Sequence, residues 1–343
     1  MQKEKLNING IRNYLRTPLE IGNLIIKNRL ALAPLAGTSE VVFRSICSEY
    51  NVGLTTTELV SVRGICYDPT LKRNYQYLVI DPDKENTVAI QLFGHDPADF
   101  KLATEIILQH PILKQVSILD INMGCPMKKV IKTGAGSALM KSPDLAQRIV
   151  QAVSEVADKY NKPVSVKIRS GWDQDSLNAP KFAKLMEDAG AKLITIHART
   201  RNQMYSGQAD WNIIAQVVNQ VSIPVYGNGD LTDIVSILRM YQQTNCSGFA
   251  IGRAAQGNPW IFTKILDPDF ELTNQEWLTV INRHVSCMIE KLGDEAIAIS
   301  KMRAQLSAYL KGKRHASKAR NVIMQCTTKQ QLFEILQQIV AAH

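Results

Sequence analysis

Eight short, β-rich apolar runs recur along the chain, at 30–34, 54–60, 88–93, 117–121, 164–168, 193–196, 224–226 and 248–251. Most intervals between them carry apolar residues at helical period. Two of the helix starts are marked: Asp96-Pro97 and Ser142-Pro143 each place a capping residue before a proline at the first helical position. After the fifth run, Phe182, Leu185, Met186 and Ala189 form one stripe, and Gly190 supplies a left-handed stop. Strands separated by helices must run parallel, with both faces of the sheet covered. Eight such units over roughly 240 residues suit a closed (β/α)8 TIM barrel better than an open sheet.

The chain has 343 residues, more than one core comfortably serves. From 265 the strand signal stops. D-P-D-F-E-L-T-N reads as a linker, and two apolar stripes follow: Met302, Leu306, Tyr309 and Leu310, then Leu332, Phe333, Ile335, Leu336, Ile339 and Val340 after a Thr327/Thr328 cap. Weakly patterned residues 1–23 are read as an arm or a strand lid, and the expected division is an N-terminal extension at 1–20, a barrel at 21–264, a linker at 265–275 and an all-helical domain at 276–343.

Charge is unevenly placed. Of the net +9, +5 falls on residues 276–343, and 301–320 holds seven Lys/Arg and no carboxylate. Such asymmetry points to nucleic acid, with a solvated helix face as the plainer explanation. No apolar stretch approaches the roughly 20 residues that span a bilayer, and the first residues lack a signal sequence, so a cytoplasmic protein with no membrane partner is expected. The six cysteines form no C-x-x-C pair and have no histidine directly beside them, which suggests free thiols and no metal site. A monomer is expected, although sequence does not fix oligomeric state.

In a parallel barrel, chemistry collects at the C-terminal ends of the strands. The fourth run, S-I-L-D-I-N-M-G-C-P, ends in Asn122, Gly124, Cys125 and Pro126, throwing a polar and a reactive side chain out of a buried strand. The corresponding ends of the other runs carry Pro34-Leu35-Ala36, Glu58, Gln91, Lys167 with Arg169, His197 with Arg199, Asn228-Gly229-Asp230 and Gly252-Arg253. An unpaired lysine is costly inside a strand, so Lys167 is expected to face an anion. The glycines of G-N-G-D and G-R-A-A-Q-G-N-P occupy the two loops where barrels commonly bind a phosphate; Gly227, Gly229 and Gly252 are expected to bare backbone N–H groups there, with Arg253 adding charge.

Seven segments, A-P-L-A-G, V-A-I-Q-L-F-G, D-I-N-M-G-C-P-M-K-K-V, V-K-I-R-S-G-W, I-H-A-R-T-R, G-N-G-D and G-R-A-A-Q-G-N-P-W-I-F, come in order and at barrel spacing. Together with the basic tail they resemble the bacterial tRNA-dihydrouridine synthases, nearest the B-type branch. The resemblance implies an FMN enzyme that uses NADPH to reduce the C5=C6 bond of uridine in tRNA, with Cys125 giving the proton to C5. It implies Pro34, Leu35, Ala36, Gln91, Lys167, His197, Asn228, Gly229, Asp230, Gly252 and Arg253 around FMN, and Asn122, Lys167 and Arg169 near the uracil. The tail would bind tRNA, with Lys311, Lys313 and Arg314 at its most basic point. The competing expectation is an FMN barrel reductase of a free pyrimidine, similar to dihydroorotate dehydrogenase, which has no need of a basic helical tail.

Overall fold

The computed structural model describes residues 6–341. Its strands are β1 Leu19–Ile21, β2 Leu24–Ile26, β3 Leu30–Leu32, β4 Thr55–Ser61, β5 Val88–Phe93, β6 Ile118–Met123, β7 Val164–Arg169, β8 Leu193–His197, β9 Val225–Asn228 and β10 Gly248–Ile251. β3 to β10 form one parallel sheet in the order β3-β10-β9-β8-β7-β6-β5-β4, and an Ala31–Leu54 bridge closes it into a barrel. The eight expected strands are all present.

β1 and β2 form an antiparallel hairpin. Leu19, Ile21 and Ile26 pack against Ala31, Leu54, Ala89, Ile118, Leu193, Tyr226 and Ala250, at the N-terminal ends of the barrel strands, so the hairpin plugs the barrel's lower end. A strand lid is there, but its second strand lies beyond residues 1–23, expected to form an arm or a lid, and the residues before it are not an arm. Ile8–Arg16 is a helix capped by the Asn7 side chain, and its Ile11 and Leu15 are fully buried in the barrel's outer core. The stretch N-I-N-G hid this helix, because its capping residues outnumber its apolar ones.

Asp96 caps the helix Pro97–Gln109 through Ala98 N–H, as expected, whereas Ser142 makes no side-chain cap on Pro143–Ala157. Gly190 has φ +113°, which fits the left-handed stop.

The tail folds into helices Asn274–Leu292, Glu295–Tyr309, Ala316–Ile323 and Lys329–Ala341. A Thr273/Glu276 capping box starts the first of them, two residues ahead of the expected boundary. Thr328 Oγ1 accepts from Gln331 N–H, in line with the expected cap. Trp277, Ile281, Met302, Leu306, Tyr309, Leu332 and Leu336 build a second core. Ile46 and Trp260 of the barrel are part of it, so the helices dock on the barrel rather than hang from a linker. Gly257 makes the docking possible: a Cβ there would lie 2.3 Å from the Ala308 backbone, and its φ of +63° suits glycine.

Candidate active site

Strand register sets the site floor. Gln91 lies opposite Asp120, Asn122 opposite Lys167, and His197 opposite both Arg169 and Asn228. Asp120 is buried, and its carboxylate accepts from Ser165 Oγ at 2.5 Å and Gln91 Nε2 at 2.6 Å. Gln91 Oε1 then accepts from Asn122 Nδ2 at 2.8 Å, and Asn122 Oδ1 accepts from the N–H groups of Gly124 and Cys125. A chain of amides therefore runs from a buried acid to the cysteine turn.

The turn is fixed by three further hydrogen bonds. Ser137 donates its N–H and its hydroxyl to Cys125 O, and Arg169 Nε donates to Gly124 O at 2.8 Å. Burial pushes the Cys125 thiol above its ordinary 9.0, outweighing Arg169 and Lys167, so the sulfur carries its proton at neutral pH. Lys167 Nζ donates to Asn228 Oδ1 at 3.2 Å. Burial, then Arg169, brings the Lys167 ammonium down to about 8, with Asp120 opposing.

Two side chains expected at the uracil also hold the protein's own backbone and amides. Asn122 spends both ends of its amide on Gln91 and the Gly124–Cys125 turn. Arg169 gives Nη1 to the carbonyls of Thr200 and Met204 as well as Nε to Gly124, tying the cysteine turn to the loop after β8.

On the opposite side of the mouth lie His197, Arg199, Asp230 and Arg253. Burial, then Lys167 and three arginines, holds His197 far below its ordinary value, so it is neutral. Its Nδ1 is buried and has no partner among the described residues. Asp230 does not turn its carboxylate to an incoming anion: Arg199 grips it with both Nη groups at 2.9 and 2.8 Å, Ala209 N–H donates to it, and Arg253 stands at 3.4 Å. Asp230 is thus a clamp for two guanidiniums. Gly229, at φ +122°, lets Ala209 close in, and Gly252 leaves clear space beside its backbone, because a Cβ there would come no nearer than 3.8 Å to anything. Gly227 is misplaced in the expected phosphate set. It is a β9 residue, and its missing Cβ makes room for Met240 Sδ and Cys246 Sγ on the helix side. Pro34, Leu35 and Ala36 follow β3, and Leu35 packs toward Gly252.

Tyr205 escaped the sequence reading. Half exposed in the loop after β8, it lies 5.1 Å from the Arg253 guanidinium and 5.7 Å from that of Arg169, with its edge toward His197. An aromatic in a polar loop directly after I-H-A-R-T was the available signal. In the tail, Lys311 and Arg314 are exposed, but Lys313 donates to Asn274 Oδ1 at 2.9 Å and sits 4.9 Å over Trp277. The barrel adds exposed Lys128, Lys129 and Lys132 immediately after Cys125.

The family model described as dihydrouridine synthase matches residues 31–343, both barrel and tail. The chain belongs to the dihydrouridine synthase family. Among similar proteins, the probable tRNA-dihydrouridine synthase of Treponema pallidum is 36% identical over 314 residues, covering 88% of this chain and 90% of that protein. The tRNA-dihydrouridine synthase B of Escherichia coli K12 is 38% identical over 247 residues, 72% of this chain and 74% of the relative. In fold, the chain is similar to the old yellow enzyme from Trypanosoma cruzi, with TM-score 0.55 and 11% identity over 77% of this chain and 94% of that one. It is also similar to a morphinone reductase variant, with TM-score 0.53 and 13% identity over 73% and 90%. As a dihydrouridine synthase of the B-like type, the chain has a helical tail that lies within the family match.

Proposed function

We propose that this protein reduces uridine to dihydrouridine in tRNA, with FMN as its flavin and NADPH as the electron source, and with Cys125 as the acid. One observation carries the reading: a protonated thiol on a turn held by Asn122, Ser137 and Arg169, facing a mouth rich in buried cations. That pairing suits adding hydride to an electron-poor double bond while a proton arrives at the neighbouring carbon.

The chain's own residues fit a flavin with one phosphate. His197 Nδ1 has no partner among the described residues, Gly252 leaves clear space where a Cβ would stand, and Arg253 stands beside it on the Asp230 clamp. Pro34, Leu35 and Ala36 would bound the ring system from β3, with Gln91, Lys167 and Asn228 from the floor. A bound flavin would take hydride from NADPH and supply it to C6 of the uracil. Lys167, placed between Asn122 and Asn228, would stabilise the negative charge that develops on the reduced ring and on the uracil carbonyl. Cys125 Sγ would give its proton to C5. Arg169 contributes chiefly by holding Gly124 and the loop after β8 against that thiol.

A reductase of a free pyrimidine explains the barrel but leaves unexplained a tail with its own core and exposed cations. The deciding experiment maps dihydrouridine in tRNA from a strain lacking the gene, before and after its return, and measures flavin released from the purified protein. Restored dihydrouridine at defined positions together with stoichiometric FMN is the expected result. Unchanged tRNA with rapid turnover of a free pyrimidine would favour the alternative.

A further inference from the structure

At the seam between barrel and tail, next to the strand ends, lies a pocket of about 400 Å³. Ala36, Gly37 and Glu58 line it from the strand ends, Tyr77 from the segment before β5, and Lys291, Lys301 and Gln305 from the tail. Ala36 therefore borders both this pocket and the proposed flavin site.

Gln305 is 4% exposed, and neither its amide nitrogen nor its amide oxygen has a hydrogen-bond partner among the described residues. Leaving both ends of an amide unpaired in a protein wall is costly, and native chains rarely do so without a ligand or water to serve them. An amide of this kind pairs well with a nucleobase edge, where a donor and an acceptor sit side by side. Tyr77 is 44% exposed and offers a ring on which a base can stack. The remaining charge limits the ligand. Glu40 is committed to His284 at 3.3 Å and Lys291 at 3.4 Å, and Glu58 accepts from Gly37 N–H, which leaves exposed Lys301 at the rim. With two carboxylates against two lysines, the pocket suits a neutral ring with one phosphodiester outside it. A dinucleotide with several phosphates is a poor match.

We propose that this pocket receives one unstacked nucleobase of the tRNA, close to the uridine being reduced, with Gln305 reading its edge and Tyr77 stacking on its face. The inference rests on tRNA being the substrate. It assigns the barrel–tail seam a part in choosing the position modified: the flanking base must reach Gln305 for the target to enter beside Cys125.

The test is a cycle of protein and RNA changes on the full-length, flavin-loaded protein. Unmodified tRNA transcripts carrying single abasic sites around the modified uridine are bound to the wild type, to Gln305→Leu and to Tyr77→Ala. Dihydrouridine formed at saturating transcript is measured in parallel. One abasic site should weaken wild-type binding by about tenfold, and Gln305→Leu should lose a similar factor on intact transcript. The two losses should not add. Tyr77→Ala, at an exposed position, should repeat the pattern if Gln305→Leu folds poorly. Full additivity at every site, or wild-type affinity in both variants, would overturn the proposal, as would a raised NADPH requirement with tRNA affinity intact. No dihydrouridine from the wild type at all would instead refute the functional reading beneath it.

Discussion

Asp120 Oδ2 accepts a 2.6 Å hydrogen bond from Gln91 Nε2, and this contact orients the two amides that end at Cys125. Burial raises the Asp120 carboxyl to about 6, although Ser165, Gln91 and Lys167 favour its ionised form. Between its ordinary 3.8 and about 6, the folded protein binds the extra proton, so this group makes stability fall as pH rises through that window. Asp120→Asn should remove that slope and leave the flavin-free protein as stable at pH 7 or more so, by up to about 3 kcal/mol. Asp120→Ala should instead cost ~1–3 kcal/mol by stranding Gln91. Urea midpoints at pH 4.5 and 7 check both; an unchanged slope in Asp120→Asn would show that the acid does not titrate there.

Cys125→Ala should separate the half-reactions. Flavin reduction by NADPH should persist, while dihydrouridine formation falls by about 10²–10⁴, the usual range for a lost general acid. Because burial raises the Cys125 thiol, the proton-transfer half of the reaction should stay flat through neutral pH and decline only above the ordinary thiol range. Stopped-flow flavin absorbance and dihydrouridine yield measure the two halves. A variant that makes dihydrouridine at the normal rate would reduce Cys125 to a packed thiol.

Lys167→Met should weaken flavin affinity or slow its reduction. It removes the ammonium beside Asn228 and leaves an apolar stem of similar length. Since burial, then Arg169, lowers this group to about 8, the wild type should approach the variant's behaviour as pH climbs past 8. Flavin titration at pH 7 and 9 would reveal the convergence; parallel curves would contradict it.

Salt dependence of tRNA binding should distinguish the tail lysines. Each phosphate contact contributes about 0.7–0.9 to the log–log slope. Lys311→Ala with Arg314→Ala should lower the slope by up to about two, and adding Lys313→Ala should change it little, because Lys313 is spent on Asn274 and Trp277. The barrel alone should keep some affinity through Lys128, Lys129 and Lys132. A third full step from Lys313 would mean that it leaves its indole to meet RNA.

Arg44 and Glu85 form an ion pair at 2.6 Å with both side chains almost fully buried, and Arg44 also donates to the carbonyls of Ser39 and Val79. Arg44→Leu should destabilise the protein by ~3–5 kcal/mol, since it leaves Glu85 charged and dry. Restoring neutrality with Glu85→Gln in the same chain should recover part of the loss. Thermal or urea melts would expose a near-neutral single variant, which would refute the estimate.

Periodicity alone determined the barrel, because eight parallel strands need eight apolar runs and each run shows in its own few residues. It also placed Cys125, Lys167 and His197 at one end, since a strand's exit is a local feature of sequence. Tertiary contacts decided the rest. Asp230 reads as a phosphate-loop acid until Arg199, 31 positions away, is seen to hold it. Gly227 belongs to the helix side because Met240 fills the space beside it, and Gly257 is a glycine because Ala308 presses on it from another domain. Lys313 is a surface cation in any reading of charge until Trp277 lies under it. Gln305 is an ordinary helix residue until barrel and tail close round it and leave its amide without a partner among the described residues. In each case the deciding energy is a desolvation or a close approach between residues far apart in the chain, and no local pattern records which distant group will arrive.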